Sequence, residues 1–131
     1  MVENNFIPGI RNYRLGQGFT LFWTFLIFVL CLMPATDLPK AEGIPNLDKI
    51  VHFTLYFVLT LSAFTTLKLM KTRINTILIL SGFFSLGLLI EILQFILPFN
   101  RSFSVYDLIA NSIGFISGWI VYRYFIANKI V

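Results

Sequence analysis

Four runs of roughly 17 to 24 mostly apolar residues take up most of this chain, and each, wound as a helix, can cross a hydrocarbon core about 30 Å thick. Lipid offers no partner to a backbone N–H or C=O, so such runs must satisfy those groups internally as helices. The expectation is an all-α, polytopic membrane protein: a four-transmembrane-helix bundle in one domain over residues 1–131. The spans are placed at about 18–33, 48–69, 74–97 and 105–126. Composition agrees, with 57% hydrophobic residues, 12% charged and 15 phenylalanines. The net charge of +4 does not indicate nucleic acid. Its cations are spread over short connections between apolar runs instead of forming a patch. Cys31 is the one cysteine, so no internal disulfide forms.

Segment boundaries follow from turn chemistry. Arg11 and Arg14 precede the first run, which has the look of a signal peptide but no small-x-small cleavage site, so it is read as a retained helix ended by Pro34. Pro39, Gly43 and Pro45 mark an extended connection up to Leu47. Asn46 is the expected N-cap of the second helix. Lys68, Lys71 and Arg73 form a basic turn before the third, which stops at Pro98. The connection 98–103 is short, so the third and fourth helices are antiparallel neighbours. Trp119, Tyr122 and Tyr124 make an interfacial anchor at the end.

Orientation follows from cations. Arg11, Arg14, Lys68, Lys71, Arg73, Arg123 and Lys129 fall on one side, and Lys40, Lys49 and Arg101 on the other. The excess places both termini in the cytoplasm.

Against that apolar background, a few polar residues stand out. Glu91 lies roughly 10 Å below the end of the third helix, and Asn111 lies a similar depth into the fourth, at 1.5 Å per residue. His52 sits one turn past Asp48. Three helices therefore bring polar side chains to one level. Asp48/His52 and Asp107/Asn111 are i,i+4 pairs, and Gly114 and Gly118 extend the second stripe. Those glycines suit either an intramolecular contact or a homodimer. A charged group at mid-bilayer costs about 2.5–3.5 kcal/mol on insertion scales. Glu91 is therefore expected to pair with Arg101 or His52, to be protonated or to line a wet cavity. Plainer roles exist: Ser104-x-x-Asp107 matches a capping box, the helix dipole favours Asp48, His52 fits as a satisfied bundle histidine, and Gln94 and Asn111 suit helix-to-helix bonding.

Taken together, Asp48-Lys49-x-x-His52-Phe53-x-x-Tyr56-Phe57, Glu91-x-x-Gln94 and Arg101-x-Phe103-Ser104-x-x-Asp107-x-x-Ala110-Asn111-x-x-Gly114 resemble the VanZ-like family over about residues 48–118. The resemblance implies a small multi-pass protein of the bacterial inner membrane. It also implies a link to resistance against the glycopeptide teicoplanin. It carries the motif positions Asp48, His52, Glu91, Gln94, Arg101, Asp107 and Asn111 without fixing a reaction.

Two functions are expected to compete. In one, Asp48, Lys49, Tyr56, Gln94, Arg101, Ser104 and Asn111 line an outward-facing site for membrane lipid, a lipid-linked envelope precursor or a glycopeptide. Arg101 and Lys49 would meet an anionic headgroup. Phe95, Phe99, Phe103 and Tyr106 would meet its apolar part. In the other, an integral-membrane hydrolase or transferase uses His52 as general acid or base, with Glu91 and Asp107 as catalytic carboxylates and Arg101 as oxyanion or phosphate stabiliser. Whether the protein is an enzyme stays open, as does a bundle whose polar layer serves packing alone. A metal held by His52, Glu91 and Asp107 has only one histidine to build on, so no metal and no cofactor is expected.

Overall fold

The computed structural model describes residues 8–34, 37, 44–73 and 75–130. Most of the first connection (35, 36 and 38–43, with Lys40), Ile74 and the side chain of Arg11 lie outside the described residues. The described chain is helical: α1 (Pro8–Leu32), α2 (Leu47–Leu69), α3 (Thr76–Ile96) and α4 (Val105–Val121), continued by a π-helical turn Tyr122–Ile126. Among the described residues, four helical stretches are long and apolar enough to cross a membrane: Tyr13–Leu32, Leu47–Leu69, Thr76–Ile96 and Val105–Ile126.

Three boundaries differ from the sequence reading. α1 begins at Pro8, ten residues ahead of the expected span: Arg11–Gln17 holds no proline, its single Gly16 is tolerated in a helix, and proline is favoured in a first turn. Asn46 precedes α2 in the left-handed region at φ 56° and makes no side-chain cap. α3 starts at Thr76, where Asn75 does cap: its side-chain oxygen accepts the Ile77 N–H at 2.9 Å.

α2 ends in a Schellman turn, with Lys71 N–H on Lys68 C=O and Thr72 N–H on Leu67 C=O. Lys71 occupies the left-handed position at φ 55°, where a side chain is strained and glycine is not. Lys71→Gly is expected to raise stability by about 0.5 kcal/mol in thermal unfolding in detergent.

The outer faces are lipid-like. Leu21, Ile77, Leu78 and Phe95 are each about two-thirds exposed or more. Lipid is as apolar as these side chains, so burying them would gain little; close packing and polar contacts must hold the bundle instead. The most extensive interface joins α2 to α4, and Gly114 and Gly118 make it possible. A Cβ on Gly114 would lie inside contact distance of the Phe53 carbonyl, and one on Gly118 would lie 2.7 Å from the Phe57 oxygen. The stripe left open between an internal contact and a dimer face is thus occupied by α2 of the same chain. A homodimer through these glycines would have to displace that helix.

α1 packs mainly on α2. Among its described residues only Ile27 and Cys31 are fully buried. Two side-chain clasps fasten it: Trp23 Nε1 donates to the Leu55 carbonyl at 2.9 Å, and Gln94 Nε2 donates to the Cys31 carbonyl at 2.6 Å.

Candidate functional site

The polar residues meet where α2 begins, α3 ends and α4 begins. On α2, the stripe Asp48, His52, Tyr56 advances one turn at a time from the rim inward. Asp48 is exposed, His52 is buried and Tyr56 is fully buried. α3 contributes Glu91, with no exposed surface, and α4 contributes the buried Asp107 and Asn111. One ligand atom from each of His52, Glu91 and Asp107 can be chosen so that all three lie within 4.8 Å of one another.

The bonding within the cluster is directional. Asn111 Oδ1 lies 3.0 Å from His52 Nδ1. An amide oxygen only accepts, so the contact is a hydrogen bond in the tautomer that carries its hydrogen on Nδ1. The other ring nitrogen, Nε2, lies 3.9 Å from Asp107 Oδ2, beyond hydrogen-bond reach. Asp107 Oδ1 accepts from Lys49 Nζ at 3.1 Å, and the same ammonium bonds Asp48 at 2.6 Å. Lys49 is thus a bridge between α2 and α4.

At the start of α4, a capping box is split between two helices. Ser104 Oγ accepts the Asp107 N–H at 3.2 Å, as the motif requires. The return bond, from the third helical side chain to the N-cap N–H, is normally made by the residue at Asp107. Here Glu91 of α3 makes it, its Oε2 accepting the Ser104 N–H at 2.9 Å. Asp107 is released to face Lys49 and His52. Glu91 accordingly spends its one described hydrogen bond on the α4 cap instead of on Arg101 or His52.

Among the described residues, four buried polar atoms in this region have no hydrogen-bond partner: Tyr56 OH, Glu91 Oε1, Arg101 Nη1 and Asn111 Nδ2. Arg101 is half-buried and sits just past Asn100, whose left-handed backbone (φ 53°) turns the α3–α4 connection. Gln94 is buried beside the cluster, with its amide nitrogen on α1. Gly87, which the sequence reading passed over, lines the floor: a Cβ there would meet Asn111 Nδ2 at 3.2 Å and Tyr56 OH at 3.4 Å. Its position one turn before Glu91 was the available signal. Open grooves lie elsewhere, such as the apolar one between α1 and α2 lined by Leu15, Phe19, Val58 and Leu61.

The family model described as VanZ/LLP1 matches residues 4–127. The chain belongs to the VanZ/LLP1 family. The match extends well beyond 48–118 to include α1, so the leading helix of this VanZ-family protein is part of the family pattern. Comparisons with curated proteins and with solved structures returned no match. Family membership and four apolar helices make it a VanZ-like multi-pass membrane protein.

Proposed function

We propose that this protein lies in the bacterial inner membrane and uses its polar cluster, on the outward side, to engage a lipid-linked or amphiphilic envelope molecule. Through that engagement it contributes to teicoplanin resistance. The observation that carries the reading is the set of four buried, unpartnered polar atoms on Tyr56, Glu91, Arg101 and Asn111. Leaving such groups unsatisfied costs about 1–3 kcal/mol each. A bound polar headgroup would relieve that cost. Arg101 carries the anion-binding role, because Lys49 is already held between Asp48 and Asp107. Phe95 and Tyr106, both largely exposed nearby, and the partly exposed Phe103 suit the molecule's apolar portion. The cation asymmetry supports the outward orientation, with both termini cytoplasmic.

The test uses the full chain in nanodiscs, with phosphatidylglycerol, a polyprenyl diphosphate and teicoplanin as separate probes. Arg101→Ala is expected to weaken the probe that binds wild type about 10- to 100-fold, the worth of a charge-assisted hydrogen bond. It should also lower the teicoplanin tolerance of expressing cells. Unchanged binding and unchanged tolerance in both Arg101→Ala and His52→Ala would refute the reading.

A second reading, a membrane-embedded hydrolase or transferase acting on such a molecule, is favoured by one specific geometry. His52 is oriented by Asn111 on one nitrogen and faces Asp107 with the other. That is the arrangement of a positioned general base. Turnover of a lipid-linked phosphate or ester by the purified protein, lost in His52→Ala, would select it.

A further inference from the structure

We infer that His52, Glu91 and Asp107 form a binding site for a single divalent metal ion of the zinc, manganese or iron type. The inference does not depend on which envelope molecule the cluster engages.

The first ground is that each of the three residues keeps one ligand atom in hand. In the tautomer that bonds Asn111, His52 gives its Nδ1 hydrogen to that side chain, which leaves the Nε2 lone pair free. This is how a metal-bound histidine is usually held, with its far nitrogen fixed by an oxygen behind it. Asp107 has given Oδ1 to Lys49 and keeps Oδ2. Glu91 has given Oε2 to Ser104 and keeps Oε1, which is buried without a partner on a side chain with no exposed surface. In each residue, one atom is anchored by the protein and the other is free.

The second ground is distance. His52 Nε2 and Asp107 Oδ2 stand 3.9 Å apart. That is too far for a hydrogen bond. Two atoms on one ion with bonds of about 2.1 Å stand roughly 3–3.4 Å apart. One ligand atom from each of the three residues can be chosen within 4.8 Å of the other two, so shifts of a few tenths of an ångström to about one ångström would close the cluster on an ion.

The third ground is charge. Two carboxylates buried in apolar surroundings need compensation. Of these two carboxylates Lys49 bonds only Asp107, while also holding Asp48, and in the described contacts Arg101 bonds neither. A divalent ion between them supplies what is missing. One nitrogen and two carboxylate oxygens suit borderline ions over copper(I), which prefers sulfur, and over calcium, which takes six to eight oxygens. Three protein ligands leave open positions, the pattern of a site that also binds an exogenous group. Asn111 and Ser104 act as positioning residues, because they hold the imidazole and Glu91 through atoms that would not touch the ion.

Untagged full-length protein, stripped with EDTA in detergent and dialysed against zinc or cobalt(II), tests this. About one ion per chain is expected by elemental analysis, with micromolar or tighter affinity typical of three-ligand sites. His52→Ala, Glu91→Gln and Asp107→Asn should each weaken binding at least tenfold, while Lys129→Ala should leave it unchanged. Should the variants fail to fold, the wild type still decides the matter. The chain has one histidine, so in protein labelled with 15N-histidine the single imidazole must show a paramagnetic shift on adding cobalt(II). Wild type that binds no stoichiometric zinc, cobalt, manganese or iron, or an imidazole signal unmoved by bound cobalt, overturns the site.

Discussion

Replacing Gly114 with alanine is expected to lower the stability of the bundle by about 2–3 kcal/mol, near the upper end for overpacking. The new methyl would be driven into the Phe53 carbonyl, a main-chain atom of α2 that cannot rotate away. α2 and α4 would have to separate along the most extensive interface in the chain. His52, on α2, would move from Asn111, on α4, and Lys49 from Asp107. Loss of ligand binding should therefore accompany the loss of stability. Gly82→Ala is the control, since nothing lies within 4 Å of its Cβ position. There the better helix propensity of alanine should give a gain of about 0.5–1 kcal/mol. Thermal unfolding of both variants in one detergent reads the difference. Equal melting temperatures would mean that the α2–α4 contact is looser than described.

The second large effect separates the two jobs of Glu91. Glu91→Gln keeps a carbonyl that can accept the Ser104 N–H, so the fold should survive within about 1 kcal/mol. The carboxyl group near His52 and Asp107 is gone, and teicoplanin tolerance or probe binding should fall at least tenfold. Glu91→Ala also removes the acceptor and strands the Ser104 N–H, with a further loss of about 1–3 kcal/mol. A Gln variant with wild-type function would show that the carboxylate serves the α4 cap alone. An Ala variant as stable as the Gln variant would show that the cap bond contributes nothing.

Much of this was legible in the sequence, for reasons that can be named. The four spans follow from run length, and the α3–α4 connection from Pro98. The common level of His52, Glu91, Asp107 and Asn111 follows from counting residues from helix ends, because helical rise is fixed. What escaped depends on contacts between helices. Ser104-x-x-Asp107 reads as a self-contained capping box, and nothing local reveals that Glu91, thirteen residues earlier, takes over half of it. Lys49 reads as a free cation for a ligand; its bond to Asp107 spans fifty-eight residues. Gln94 reads as part of the site, yet its amide nitrogen bonds α1. Asn75 was overlooked as a cap because Ile74 before it is apolar and hides the boundary. The π-helical turn at Tyr122–Ile126 leaves no mark in a stretch read only for its aromatic anchor.

The pairing of α2 with α4 has a bearing on biogenesis. The second span is made before the last, so until α4 follows His52 lacks Asn111 and Lys49 keeps only Asp48. Polar side chains in that condition are costly. A nascent chain halted after α3 therefore presents a polar stripe that the finished protein conceals. Exposure of that stripe would distinguish an incomplete copy from a complete one, and it ends only when the final helix packs.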